Sequence, residues 1–521
     1  MMKKYSFILW VALTMTSVFI ACTDNDNPMS EQTDAKTATI RATIDGDLGS
    51  RVALIDDAEN RVVKVDWAEG DAFKIEVNEK DYTFVYSKST GEFAYDNQNG
   101  TFPETFTSAG TVTATYPVTA SETYGNQSGT LDGAAALLTM TATLEVTAGQ
   151  NTEDLALNFK HNNSIVKMTL SNEDFKGQSV TSISLNSGND AVYTATDDFT
   201  GDAENGSIVV YFAVTTQEMT NISIHAVCGE SNYITTLTDN TLGTGKLYNV
   251  NKTLVGIKTT EQAVKYDLAM ADGTFISKDD IDYLTDALKS KVKGIVFWTE
   301  SEEGNATLVG ENADKIMQTD FPNYNHGLIV ALTNVSTGCT WASSYDYIYG
   351  DFQNTGNFNP TNKSDYKSVA SYTTKDYAPD NYQNILGFQN TKVLEAYNKY
   401  CSETSGKENH KVNLVEELAI WKTSNPAPEN TTGWFIPSVK ELQMLCHKDD
   451  IFNNYGTETR EAIDPLIEAL GGTMLGEYDY WASLELSTND SAAFGVSSEF
   501  GIKIERNKTT SSCYVRAVCA F

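Results

Sequence analysis

The sequence predicts a mixed architecture, two antiparallel β-sandwich domains followed by an α+β domain, and three observations carry it. From residue 37 to residue 258 short runs alternate polar and apolar residues, as in KTATIRATI, FKIEVNEKDYTFVY, TVTATYPV, SIVKMTLS and GSIVVYFAV, with Gly, Asn and Asp between them. Period-two alternation broken by turn residues is the pattern of antiparallel strands in a sandwich. Past residue 258 the texture changes. SKDDIDYLTDALKS, NTKVLEAYNKY, NLVEELAIWKT and SVKELQMLC place apolar residues at helical spacing, and Ser438 with Glu441 has the form of a capping box. Finally, a chain of 521 residues holds roughly two to four domains, each large enough to bury its own core.

Residues 1–21 read as a signal peptide. Lys3 and Lys4 form a positive n-region, and residues 7–20 form an apolar stretch too short, with the wrong flanks, for a spanning helix. Phe19-Ile20-Ala21-Cys22 resembles the lipobox of bacterial lipoproteins, with Phe19 where Leu is usual. The resemblance implies cleavage before Cys22 and acylation of its thiol, residues 22–36 becoming a lipidated flexible linker; the alternative is a secreted protein whose signal happens to hold a cysteine. Asp24 and Asp26 resemble the acidic signal that sends lipoproteins of anaerobic Gram-negative bacteria to the outer face. Several acyl chains give stable anchoring where one is marginal, so the implied location is the outer membrane at the cell surface. No later segment is apolar enough to span a bilayer.

The stretch TAGQNTED near residue 150 separates two groups of strands, which divides the β-region into residues 37–150 and 151–258; residues 259–521 form the α+β domain. Lys and Arg total 37 against 70 Asp and Glu, a net charge of -33. Such a field repels nucleic acid, so no nucleic-acid partner is expected. Apart from Cys22, Cys228 stands alone in the first half, with Cys339, Cys401, Cys446, Cys513 and Cys519 in the second. That split allows at most two bridges within the second half and leaves their pairing open.

Catalytic signatures are sparse, and no enzyme activity, catalytic residue, cofactor or metal is expected. Gly245-Lys246 lacks the preceding glycine of a P-loop, and G-x-S-x-G, H-E-x-x-H and C-x-x-C are missing. His161, His225, His326, His410 and His447 are scattered through unlike contexts. Acid pairs such as Asp279 and Asp280, or Glu302 and Glu303, read as solvated surface.

VDWAEGDAFKI, TATYPV, LNFKHNNSIVKMTL, YFAV and GTGKLYNVNKTL resemble, in that order, the recurrent stations of the fimbrillin-like surface proteins. The stations are a turn at Trp67, Gly70 and Asp71, a strand end at Tyr116 and Pro117, a strand entry at Phe159 and His161, and the entry to the last strand at Gly245 and Tyr248. The resemblance implies transthyretin-like sandwiches over residues 37–258. Each residue also has a plain structural role: Trp67 as an apolar plug, Gly70 as a turn, His161 as a core residue. Farther on, YDLAMADGTFISKDD, GIVFWT, HGLIVAL, GWFIPSVKELQML, YWASLEL, SAAFGV and SCYVRAVCAF resemble modules of the C-type-lectin-like and formylglycine-generating-enzyme folds. Neither the calcium tripeptide of those lectins nor the paired-cysteine copper site of the oxidases is matched: Cys513 and Cys519, six apart on one strand face, stand about 20 Å apart.

The binding candidate is the polar and aromatic stretch 341–400. It places Trp341, Tyr345, Tyr347, Tyr349, Tyr366, Tyr377 and Tyr382, with Phe352, Phe358 and Tyr372, among Asn, Asp, Ser and Gly. Flat rings beside amides and carboxylates suit sugar faces and hydroxyls, and suit protein epitopes equally. Trp434, Trp481 and Arg516 are expected to pack. The fimbrillin resemblance implies assembly with other pilus subunits by donor-strand exchange after cleavage at an arginine. Arg51, in DGDLGSRVAL, is the expected site ahead of Arg41 and Arg61. YVRAVCAF reads as an integral strand and not as a donor. The expected function is that of a cell-surface adhesin or tip-type pilus (fimbrial) subunit binding a glycan or protein through its C-terminal domain. The alternative is a glycan-binding lipoprotein of a nutrient-uptake system.

Overall fold

The computed structural model describes residues 39–45, 55–57, 62–64, 67–77, 79–119, 123–302, 306–311, 313–354, 356–358, 363–366, 384–447, 456–486 and 491–521. Cys22, Arg51, Tyr377 and Tyr382 lie outside the described residues.

The first unit is a closed barrel where a sandwich is expected. Thr39–Asp45 pairs in parallel with Ala156–His161 on one side and antiparallel with Glu92–Tyr95 on the other. Met140–Val146, Gly110–Tyr116, Ala72–Val77 and Lys80–Ser87 complete the ring. Alternation fills it: Phe73, Ile75, Phe84, Phe93, Val112 and Phe159 all point into one core. Trp67 plugs that core edge-on to Phe93, Tyr116 and Phe159, its indole N–H donating to Ala42 O at 3.1 Å. Gly70 holds the turn at φ +88°, a conformation that costs a Cβ-bearing residue free energy, and the Asp71 carboxylate accepts from the Tyr116 hydroxyl at 2.8 Å.

Residue 150 is not a break between sheets, because Ala156–His161 lies beyond it and still belongs to the barrel. In return, Asn126–Gln127 leaves the barrel and pairs with Asp190–Ala195 of the second unit. The Gln127 side chain fastens it there, donating to Ala213 O at 2.7 Å and accepting from Ala213 N at 2.8 Å. In the second unit two sheets face one another. Ser207–Thr215, Asn163–Ser171 and Leu247–Thr253 form one sheet; Asp190–Ala195, Ser179–Ser187, Ile222–Cys228, Ser231–Thr236 and Val255–Lys258 lie in the other. Met168, Phe212, Ile183 and Ile224 meet between them.

Val255–Lys258 then pairs with Phe275–Ile276, so the second sheet continues into the C-terminal unit through Leu268–Met270, Val292–Thr299, Gly327–Cys339, Cys513–Ala520, Asp479–Glu485, Ala492–Ser497 and Ile502–Asn507. Helices Gly387–Glu403, Asn413–Lys422, Val439–Cys446 and Glu458–Ala469 pack on it. Ser438 and Glu441 do form a reciprocal capping box, whereas residues 278–289 give only a 3₁₀ segment and one helical turn. Cys513–Ala520 is an inner strand, held by Gly327–Cys339 and Asp479–Glu485. The six described cysteines are free thiols. No helix among the described residues is long and apolar enough to cross a membrane.

Candidate functional site

The polar and aromatic stretch begins inside the core. Trp341 and Tyr349, both expected to meet ligand, are wholly buried. The Trp341 indole N–H donates to Ala482 O at 2.9 Å. The Tyr349 hydroxyl donates to Ser483 O, and its backbone N–H donates to the Glu485 carboxylate at 2.7 Å. Two large rings in an otherwise polar segment are what fasten it to strand Asp479–Glu485, and neither is open to a ligand. Tyr347 is half-buried, its ring lying 2.1 Å from where a Cβ on Gly350 would stand, so it packs on its own helix, Ile348–Asn354. Tyr345 is 50% exposed. Trp434, Trp481 and Arg516 are buried, Trp481 donating its indole N–H to Cys339 O at 2.8 Å.

Tyr366, half-buried, lines a cleft of about 330 Å³ together with Phe352, Phe358, Lys392, Lys399 and Tyr400. Helix Gly387–Glu403 supplies one wall, since residues 392, 396, 399, 400 and 403 recur on one helical face. On the opposite wall Phe352 packs tilted against Phe358 and edge-on to Tyr366, with centroids 5.9 and 5.2 Å apart, and Phe358 reaches Tyr400 at 5.7 Å. Aromatic walls with ammonium groups at the rim suit a ligand with one apolar face and hydrogen-bonding edges.

Asp346 anchors the segment between the buried rings and this cleft. Its carboxylate accepts from Ser344 at 3.0 Å, and also from the Tyr397 hydroxyl and His410 Nδ1. Burial pushes the Asp346 carboxyl up, but those hydrogen bonds and nearby Lys407 outweigh it and bring it down to about 2. Below it, Lys508 donates to Asp346 O and, at 2.9 Å, to the Glu485 carboxylate. Tyr397 is wholly buried, so this network has the character of a clamp on the loop.

No protein-family model matches the chain. A Bacteroides ovatus protein named as a proposed fimbrium tip subunit is 26% identical over 230 residues, 42% of this chain and 38% of that protein. The match thus spans about two fifths of the relative's length. Among solved structures, a fimbrial protein of Bacteroides ovatus aligns over 93% of this chain and 99% of its own, at 16% identity and a TM-score of 0.39. A proposed cell adhesion protein of the same species aligns over 42% and 92%, at 16% identity and a TM-score of 0.31.

Two features escaped the sequence reading. One is the clamp, whose members Asp346, Tyr397, His410, Glu485 and Lys508 come from separate segments. The other is a cleft of about 470 Å³ where the sandwich meets the C-terminal unit, lined by Asp174, Tyr233, Lys258, Asp280 and Tyr283. Tyr233 donates to Asp174 at 2.9 Å, and burial, with Asp174 and Asp279 nearby, raises the Asp280 carboxyl. Among the described residues no group of three or more His, Cys, Asp and Glu is arranged to hold a metal ion.

Proposed function

We propose that this protein is a cell-surface lipoprotein acting as an adhesin or tip-type pilus subunit. In this reading residues 259–521 form a C-type-lectin-like head that binds a glycan or protein. The observation that carries the tip assignment is the position of Cys513–Ala520. A strand paired on both sides inside a sheet is not available for donation to a neighbour. The seam strand Thr39–Asp45 supports the complementary role of acceptor: cleavage at Arg51 and loss of that strand would open a groove between Glu92–Tyr95 and Ala156–His161. The similarity to a protein named as a fimbrium tip subunit supports the same reading. Of the expected contact residues, Tyr345 and Tyr366 have rings reachable from solvent, and Tyr377 and Tyr382 are proposed with them; Trp341 and Tyr349 are buried in the core and Tyr347 packs on its own helix. Acylation of Cys22 would hold the subunit at the outer membrane.

The test is assembly. Protein cleaved at Arg51, mixed with a separate pilin carrying a free donor segment, should form a one-to-one complex and no filaments by itself under the electron microscope. Homopolymers would refute the tip assignment. The carboxylate and tyrosine lining of the junction cleft favours a second reading, a glycan-capturing lipoprotein of a nutrient-uptake system, which requires tight binding of a soluble polysaccharide without any pilin.

A further inference from the structure

A smaller cleft, of about 230 Å³, lies apart from the aromatic one, lined by Lys289, Lys293, Trp421, Asn425, Trp434 and the turn at Gly471 and Gly472. Lys289 ends the short helix Asp286–Lys289, and Lys293 stands on the strand that follows, Val292–Thr299. A tight connection therefore brings both lysines to one wall. Trp421, near the end of helix Asn413–Lys422, is half-buried and edge-on to the buried Trp434, with centroids 5.9 Å apart. Trp434 is fixed by donating its indole N–H to Asn425 O at 3.1 Å. The glycine turn follows helix Glu458–Ala469, and a Cβ on Gly472 would stand 2.5 Å from Leu332 O. Backbone comes in close there, so that part of the wall carries no side chain.

The electrostatics are unusual for this chain. With 70 acidic residues against 37 basic ones, any cleft should carry carboxylates, yet no Asp or Glu lines this one. Among the described residues neither Lys289 nor Lys293 has a carboxylate at ion-pair distance, and the Trp421 indole N–H has no acceptor. Two lysines without a carboxylate partner on one cleft make it favourable for an anion. The free indole N–H adds a donor, and the Trp421 ring adds an apolar surface.

We propose that this cleft binds the terminal acidic sugar of a glycan, its carboxylate between Lys289 and Lys293 and its C–H face on Trp421. The volume falls below the roughly 300–1,000 Å³ of sites for drug-sized ligands, which fits one sugar ring and not a chain. A peptide carboxylate would satisfy the lysines but leave the Trp421 surface without a matching partner, so the sugar is the better fit. The assignment rests on the adhesin reading and specifies its ligand class.

Calorimetry and saturation-transfer NMR on the mature chain, with a glucuronic-acid-terminated disaccharide and its glucose-terminated counterpart, test it. The acidic sugar should bind about tenfold more tightly, as charged hydrogen bonds imply, and should weaken as salt is raised. Lys289→Ser with Lys293→Ser should abolish the difference without lowering the melting temperature, whereas Trp421→Phe should weaken both sugars. Equal binding of the two sugars, binding of neither, an unaffected double lysine variant, or an acidic peptide bound as well as the acidic sugar would each overturn the proposal. Adhesion to host cells, measured in parallel, separates the two readings. Adhesion without sugar binding refutes this site alone, while acidic-sugar binding without adhesion refutes the adhesin.

Discussion

The Lys508 ammonium lies 2.9 Å from the Glu485 carboxylate, with 0% and 1% of the two side chains exposed. The pair is held between Trp341 and Tyr349: Lys508 lies over the Trp341 ring and Glu485 accepts the Tyr349 backbone N–H. Burial raises the Glu485 carboxyl to about 7, and Lys508 offsets only part of that rise. Removing one partner of such a pair leaves an uncompensated buried charge, which costs about 3–5 kcal/mol. Lys508→Ala should therefore destabilise the C-terminal unit by about that much in urea unfolding. The double change Lys508→Met with Glu485→Met should recover much of the loss. A single Lys508→Ala variant as stable as the parent would refute the role given to the pair.

A pH dependence follows from two other buried acids. Burial pushes Glu441 up to about 8 and Asp314 up to about 6, each above its ordinary value of 4.5 or 3.8. In both, backbone hydrogen bonds only partly offset burial. The folded chain thus holds protons that the unfolded chain has released, so the stability they contribute is full below about pH 4 and is lost as pH rises through about 6 and then about 8. Glu441→Gln keeps the acceptor that caps helix Val439–Cys446 and removes the ionisation. Its melting temperature should exceed the parent's at pH 8 and match it near pH 5. A gap that does not change with pH would contradict this.

These energetics bear on which features could be read from the chain alone. The stations at Trp67, Gly70 and Asp71 are legible because each answers a local need: a plug within 5.7 Å of three rings, a turn at positive φ, a carboxylate for the Tyr116 hydroxyl. Helix Val439–Cys446, with its apolar periodicity and capping box, is legible for the same reason. Closure of the barrel is not, since it depends on Thr39–Asp45 meeting Ala156–His161 more than a hundred residues away. The site divides likewise. In the sequence Trp341 and Tyr345 look alike, aromatic residues in a polar stretch, yet one is buried and the other half open. The difference is made by Ala482 O, which accepts the Trp341 N–H. Lys289, Lys293 and Trp421 carry no local signal either, because it is the fold that excludes carboxylates from around them.

The proposed anchor gives a cellular prediction. Acylation needs a thiol, so Cys22→Ala should move the protein from the membrane fraction to the soluble fraction and abolish fatty-acid labelling, with unfolding unchanged. Membrane partitioning with continued labelling would exclude Cys22 as the acylated residue. Protease shaving of intact cells tests the outward orientation, which requires that the parent protein be cut.

The last prediction separates the rings that bind from the rings that hold. Trp341→Ala removes a fully buried ring and leaves Ala482 O without its donor, which should cost about 3–5 kcal/mol and lower the melting temperature sharply. Tyr345→Ala and Tyr366→Ala change rings that solvent reaches, one standing free and one on the wall of the aromatic cleft. Exposed aromatics bury much area at small rotamer cost on binding, so these two should weaken adhesion several-fold while moving the melting temperature little. Adhesion and thermal melting measured on the same three preparations decide the matter. Normal adhesion with early melting for the tyrosine variants would make the aromatic cleft part of the core and leave the lysine-lined cleft beside Trp421 as the contact surface.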